Sequence, residues 1–494
     1  MTLSKSKFCR GVQCPKMLWL EKNMPEQYDD SQQNTALLDE GNETGDLAMG
    51  YFGDYVEIAY DPTNYAGMLA ETKRYIEANT PVICEAFIST GNELCAVDIL
   101  RVFDAHVEIV EVKSSTKCKD IYLWDMAYQY YVLTKCGYQV RRVSLMHIAG
   151  DYIRHGELDL RQLFILEDHT DKVLAMQNDI KAIMESITKI TEQPEEPDIG
   201  IGPHCDSPYD CGFKQWCWRH IPENSVFDIR GLGFSKKKKW DCYNKNIITF
   251  EALLNNHVAL PEKPLQQVEW EVYNRPSYID KAKIQAFLDE LSYPLYHLDF
   301  ETYMPAVPPF DRTMPYGQIP FQYSLHIEKA AGLDPEHREF LAGGYSDPRR
   351  ALAESLCDDV PGDVCCLAYN MSFERSRLKE LAGLFPDLAN HLMAIHDNMR
   401  DLMTPFKNRD YYDRRFKGSY SIKVVQPTLC ENDPELDYHA LDLIHHGSEA
   451  MEAYPKLSRL PPDEAERYRK ALLAYCKVDT MGMVRVLQKL RELV

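Results

Sequence analysis

The chain has 494 residues, of which 45% are hydrophobic and 27% charged, a balance ordinary for a globular protein and a length that calls for two or three domains. No apolar run is long enough to span a bilayer, and the opening MTLSKSKFCRGVQCPK lacks the apolar core of a signal peptide, so a cytoplasmic protein without a membrane partner is expected. The net charge of −21 argues against a surface that coats nucleic acid generally, though not against an acidic site beside a local basic groove, and fifteen scattered cysteines do not read as a secreted disulfide framework.

Near the N-terminus, GVQCPKMLWL sets Cys14 against a proline. Further on, ELCAVDILRVFDAHVEIVEVK reads as two β-rich runs around the turn FDAH. A turn centred between Asp104 and Ala105 puts Asp98 opposite Glu111 on one face, with Lys113 two residues on. Opposed like charges destabilise a hairpin unless something offsets them. A divalent cation does so, and carboxylate oxygens suit magnesium or manganese; a plain solvated hairpin face is the competing reading. PHCDSPYDCGFKQWCWRH then spaces Cys205, Cys211 and Cys217 six residues apart. With Cys14 they make a four-thiolate set suited to zinc or an iron–sulfur cluster, as against four small buried hydrophobes; Cys9 is a rival for the remote ligand.

Taken together, LSKSKFCRGVQCPKMLWL, AVDIL, EVKSS, DMAYQYY and the late cysteine triplet resemble the RecB-type PD-(D/E)XK nucleases with an iron–sulfur cluster, the CRISPR-associated RecB-like exonuclease type. The resemblance covers roughly the first 220 residues. It implies a metal-dependent core of Asp98, Glu111 and Lys113, followed by Gln129 on a helix. It also implies a 4Fe-4S cluster held by Cys14, Cys205, Cys211 and Cys217, acting as a staple between distant segments. Two departures stand out. Relatives often space the first two late cysteines as C-x2-C, where five residues intervene here, which keeps zinc as the alternative. The family's G-x-x-x-H is also missing: GNETGDLA offers Gly45, with Glu43 and Asp46 close by.

In DIRGLGFSKKKKWDCYNKNIITFEALLNN, short helices joined by tight turns are vaguely similar to a helix-hairpin-helix binder of the DNA backbone. Lys236 to Lys239 are the strongest basic cluster, although a lysine run is more often a solvated surface. ALPEKPLQQ reads as a linker.

The C-terminal part holds a second set of acids. YPLYHLDFETYM is an alternating strand with Leu298 and Phe300 on one face and Asp299 and Glu301 on the other. In LAYNMSFERSRLKELAGLF an apolar run ends at Asn370 and a helix follows, with Glu374 one turn before Leu378 on its apolar face; a helix-dipole role for that acid is the bland alternative. The last helix carries a stripe through Leu472, Tyr475, Asp479, Met483, Val486 and Leu490. Acids placed three times where burial is expected are explained together if they converge on a pair of magnesium ions.

DFET, NMSFE and the Y-x3-D of YCKVD resemble the three motifs of DEDDy-type 3′→5′ exonucleases of the RNase-H-like group. By that resemblance Asp299 and Glu301 form the first motif, Asn370, Phe373 and Glu374 the second, and Tyr475 and Asp479 the third, with Tyr475 orienting the attacking water. Glu374 stands where the pattern has Asp. GSYSIKVV reads as a substrate-facing strand from which Lys423 reaches phosphate. The order of the two modules resembles an uncharacterised family of bacterial nucleases previously catalogued as domains of unknown function.

The expected architecture is α/β throughout: a PD-(D/E)XK domain over residues 1–222, a helical connector over 223–285, and an RNase-H-like domain over 286–494. The expected function is a metal-dependent DNA nuclease with two active sites, serving repair, end processing or defence against foreign DNA. A catalytically degenerate nucleic-acid-binding or scaffold protein, and an RNA-processing exonuclease, are the alternatives.

Overall fold

A computed structural model describes residues 2–29, 35–344, 346–431 and 433–494, with side chains in the helix Thr35–Met49 described from residue 41 onward. It is a mixed α/β structure of two units. Unit 1 comprises Met1–His220 and Pro305–Gly317; unit 2 comprises Ile221–Met304 and Gln318–Val494. Among the described residues no helix is long and apolar enough to cross a membrane.

Unit 1 is built on a seven-stranded sheet of β1 (Leu3–Ser4), β2 (Val56–Glu57), β3 (Val82–Thr90), β4 (Glu93–Phe103), β5 (His106–Lys113), β6 (Val140–Ile148) and β7 (Phe164–Asp168). The order is β2-β3-β4-β5-β6-β7, with β1 paired to β4. The two-residue turn Asp104–Ala105 sets the hairpin register, Phe103 against His106 and Ile99 against Val110. The helix Asp120–Lys135 carries the chain from β5 to β6, which pairs parallel to β5, the connection that parallel strands require. Alternation along each strand feeds two cores. Leu100 and Ile109 pack with Phe8, Met126 and Leu133 under the helices, while Ile99 and Val110 pack with Met146 and Phe164 on the other face. Asp98 and Glu111 share the parity of Leu100 and Ile109, so they face the helix side.

Unit 2 holds a five-stranded sheet in the order β11-β10-β9-β12-β13. Its strands are β9 (Leu295–Tyr303), β10 (Ile319–Glu328), β11 (Glu336–Leu341), β12 (Cys365–Ala368) and β13 (Met399–Asp401). β9 pairs antiparallel with β10 and parallel with β12. The last helix, Pro462–Glu492, buries its expected stripe, Leu472, Tyr475, Asp479, Met483, Val486 and Leu490.

Two expectations for this half are corrected, a linker and a strand. Residues 223–285, expected as a helical connector, belong to unit 2. There β8 (Tyr278–Ile279) pairs with β14 (Tyr411–Tyr412), and Gln267 Nε2 donates to the carbonyls of Asp228 and Lys417. The supposed linker ALPEKPLQQ runs into the helix Glu262–Val272. Its prolines fall at the N-cap and in the first turn, where a missing N–H removes no helical bond. GSYSIKVV is not a strand: Ile422–Leu429 is a helix with Val425 and Gln426 buried. Its β-branched run suggests a strand locally, and packing against the last helix overrides that weak preference.

Candidate functional site

In unit 2, one pocket of about 290 Å³ is lined by Asp299, Glu301, Glu374, Tyr475 and Asp479, together with Asn370, Phe373 and Lys423. The pleat of β9 turns Asp299 and Glu301 into the pocket while Leu298 and Phe300 fill the core behind. Asn370, two residues after β12, has φ of +73°, a left-handed conformation that turns the chain into the helix Ser372–Leu384. Glu374 sits in the first turn of that helix and is 2% exposed, and its Oε2 is buried with no hydrogen-bond partner. Both the Tyr475 hydroxyl and Glu301 Oε2 come close to Gly447, where a Cβ would lie 3.7 Å and 3.9 Å from them.

Electrostatics follow from four acids in one cleft. Burial, and then Asp479, push the Asp299 carboxyl up to about 7. Burial and the neighbouring acids raise Glu301 and Glu374 well above the usual carboxylate range. Lys423, expected to reach phosphate, instead bonds to Asp479 Oδ1. Tyr438, unforeseen from the sequence, donates to the same oxygen. Cys476, beside Tyr475, is also unforeseen: its sulfur and one carboxylate oxygen each from Asp299 and Glu301 lie within 4.8 Å of one another. Asp401 and Asp442 are engaged elsewhere, Asp401 with the N–H groups of Asn370 and Met403 and Asp442 with Arg467. The donor set therefore fits divalent cations: hard oxygens in excess of local cations, one of them unpartnered.

In unit 1 the second set also gathers. Asp98 Oδ2 accepts the Val112 N–H at 2.7 Å, Lys113 Nζ donates to Glu111 and, at 3.0 Å, to Asp125, and Gln129 Nε2 donates to Glu111 at 2.5 Å. Three further members were missed. Lys5 lies between Asp98 and Glu111. Asp125 is one helical turn before Gln129, a polar pair on the otherwise apolar buried side of the helix, and that spacing is the signal that could have found it. Glu85 sits between the pairs Cys84–Ile99 and Ala86–Val97 with φ of +54°, and burial followed by Asp98 pushes it up to about 7. Burial opposes ionisation of Glu111, yet Lys113 and Lys5 hold it well below the usual range. Glu43 and Asp46, weighed as early ligands near Gly45, are exposed on the helix Thr35–Met49.

Cys14, Cys205, Cys211 and Cys217 line one apolar pocket with Met17, Leu20 and Phe213. Cys14 ends the first helix and begins the second, and Gln13 Nε2 binds the carbonyls of His204 and Tyr209 at 2.7 Å each, so the remote thiol is tied to the triplet loop. Burial pushes the Cys211 thiol up to about 12, with Cys14, Cys205 and Cys217 adding to it. Cys9, the rival, packs instead against the main core of unit 1. Of the lysine run, Lys239 donates to the carbonyls of Phe227 and Ile229, Lys238 to that of Gly233, and Lys237 pairs with Asp241.

Comparison with known proteins gives residues 296–421 as a match to the family described as "Domain of unknown function (DUF2779)". The uncharacterized protein MG366 of Mycoplasma genitalium is 25% identical over 217 residues, 40% of this chain and 32% of the relative. Its homolog in Mycoplasma pneumoniae is 27% identical over 210 residues, 38% of this chain and 31% of the relative. The chain thus spans about a third of the length of these relatives. No solved structure matches it.

Proposed function

We propose that the chain is a metal-dependent nuclease whose unit 2 is an RNase-H-like, DEDDy-type 3′→5′ exonuclease. In this reading unit 1 is a RecB-like PD-(D/E)XK unit that carries the second active site and a 4Fe-4S cluster. The substrate is DNA, met as single strands or duplex ends in repair, end processing or defence within the cytoplasm. The observation that carries the reading is the convergence of Asp299, Glu301, Glu374, Asp479 and Tyr475 on one pocket, with Glu374 Oε2 buried and unpartnered. A buried carboxylate oxygen without a donor costs free energy that a cation offsets.

Asp299, Glu301, Glu374 and Asp479 would hold Mg²⁺ or Mn²⁺, which when bound activates water and neutralises charge at the phosphodiester. The chain's own groups do the rest. The Tyr475 hydroxyl orients the attacking water beside Glu301. Lys423 and Tyr438 fix the Asp479 carboxylate. Phe373 and Met451 give the terminal base an apolar wall. The test is incubation with end-labelled single- and double-stranded DNA and RNA in Mg²⁺, Mn²⁺ or EDTA. Release of 3′-terminal nucleotides that stops in EDTA and in Asp299→Ala is the expected result. Preference for RNA would move the substrate class, and binding without release in any metal would leave a binding domain.

For the thiols, the reading is a 4Fe-4S cluster with zinc as the alternative, and what supports it is that all four face one pocket. Anaerobically purified protein is expected to be brown; colourless protein with stoichiometric zinc would overturn the iron assignment.

A further inference from the structure

Every oxygen of the Asp98–Glu111 pair already accepts a hydrogen bond from the protein. Asp98 Oδ2 is taken by the Val112 N–H, Glu111 Oε1 by Lys113 and Glu111 Oε2 by Gln129. The gap between the two carboxylates holds the Lys5 ammonium, 3.1 Å from Asp98 Oδ1 and 3.1 Å from each oxygen of Glu111. Among these donors only Lys5 bridges the pair, and only Lys5 comes from outside the β5 strand and the helix behind it.

Its main chain is fixed. β1 pairs with β4 just before it, the Tyr128 hydroxyl donates to the Leu3 carbonyl, and Ser4 caps the helix Lys5–Gln13. Its side chain is not sealed in: 21% of it is exposed, as is 21% of the Asp98 side chain. A long, rotatable amine on a fixed Cα at the edge of a cleft can leave by rotation alone. A divalent ion needs the same oxygens, and two cations a few ångströms apart in a buried cleft repel strongly.

We propose that Lys5 is a resident counter-ion occupying the cation position of the unit 1 site, so that a divalent ion enters only when the amine swings toward solvent. The proposal rests on the reading of Asp98 and Glu111 as metal ligands. It makes the metal demand of unit 1 steeper than that of a carboxylate pair without a competing ammonium. It also gives the cleft of Glu85, Asp98, Glu111 and Asp125 two ammonium groups, Lys5 and Lys113, which offset half of the carboxylate charge when all four acids are ionised.

The test measures Mn²⁺ binding by calorimetry, in full-length protein carrying Asp299→Ala to weaken the unit 2 site. Lys5→Met keeps the apolar stem and removes the charge; Lys5→Arg keeps the charge. The expected result is Mn²⁺ binding at one unit 1 site about tenfold tighter or more in Lys5→Met, parent-like binding in Lys5→Arg, and a larger Mn²⁺-induced rise in melting temperature for Lys5→Met. Equal or weaker Mn²⁺ binding in Lys5→Met overturns the proposal. If Lys5→Met unfolds in EDTA, recovery of its fold with Mn²⁺ supports the proposal, and failure to recover while Lys5→Arg folds overturns it. Cleavage assays on the same proteins separate the two readings. Tighter Mn²⁺ binding without DNA cleavage by any variant upholds the competition and removes the nuclease reading of unit 1. Cleavage by the parent at the same Mn²⁺ concentration as Lys5→Met, with equal affinities, overturns the competition and leaves that reading standing.

Discussion

The hydroxyl of Tyr438 donates to Asp479 Oδ1 at 2.5 Å, from a short segment far in sequence from the last helix. The Lys423 ammonium bonds to the same oxygen and lies 3.7 Å from the Tyr438 ring centre and 4.5 Å from that of Tyr475. The carboxylate that ends the third acidic segment is therefore aimed by two side chains rather than left to solvent. Groups that orient a ligand acid in this way typically contribute about 10–100-fold to metal affinity. Tyr438→Phe is expected to weaken Mn²⁺ binding at unit 2 by that order while leaving the fold intact, read by calorimetry alongside circular dichroism.

Glu374 is one methylene longer than the aspartate of the resembled pattern, and its Oε2 is buried without a partner. Glu374→Asp draws the carboxylate back, which suits a smaller, stricter ion. Cleavage supported by Mg²⁺ should rise relative to that supported by Mn²⁺, by about tenfold on the scale of such ligand changes. Matched rates in the two metals, before and after the change, would count against a ligand role for Glu374.

A pH dependence follows from Asp299, whose carboxyl is pushed up to about 7 from an ordinary 3.8 by burial and Asp479. A folded-state pKa raised above the unfolded value means that folding takes up a proton between those limits, so stability falls as pH rises from about 4 to 7. Glu301 and Glu374 are raised as well and extend the decline upward. Metal-free protein should melt at a lower temperature near pH 8 than near pH 6. Asp299→Asn should flatten part of that slope, and saturating Mn²⁺ should flatten more of it, both read by calorimetric scans across pH.

Cys14 is tied to a loop nearly two hundred positions away, so a metal group shared by the four thiols converts its binding free energy into folding free energy. Cys14→Ser, Cys205→Ser, Cys211→Ser and Cys217→Ser should each bleach the visible absorption. Each should also lower the melting of unit 1 by about 2–8 °C, as expected for a loss of one to two kcal/mol in a unit of this size. Cys9→Ser should keep the colour.

Much of the acidic geometry was legible because strand parity and helical spacing are local rules. The Asp104–Ala105 turn fixes where Asp98 and Glu111 lie, and the period of the last helix places Tyr475 over Asp479. What stayed hidden is what long-range packing decides. Lys5 lies 93 residues from Asp98 and carries no local sign of its partner. Tyr438 lies 41 residues from Asp479. Glu85 looks like an ordinary strand residue until its positive φ breaks the ladder opposite Asp98. The segment around Lys423 misled because Ile422, Val424 and Val425 favour a strand as isolated residues, whereas the surface they cover is the side of a helix.

One stretch of chain bears on how this protein can be divided. Directly after β9, residues Pro305–Gly317 belong to unit 1 before the chain returns as β10. There Ala306 and Val307 are buried in the core that holds Val110, Arg154 donates to the carbonyls of Pro308 and Pro309, and the Tyr316 hydroxyl donates to that of Ser114, next to Lys113. The units are joined covalently three times rather than once. A single proteolytic nick near residue 220 leaves them tethered, and a fragment ending there lacks part of its own apolar cover. The two halves are interlaced in sequence, so neither can be shuffled between proteins as an independent cassette.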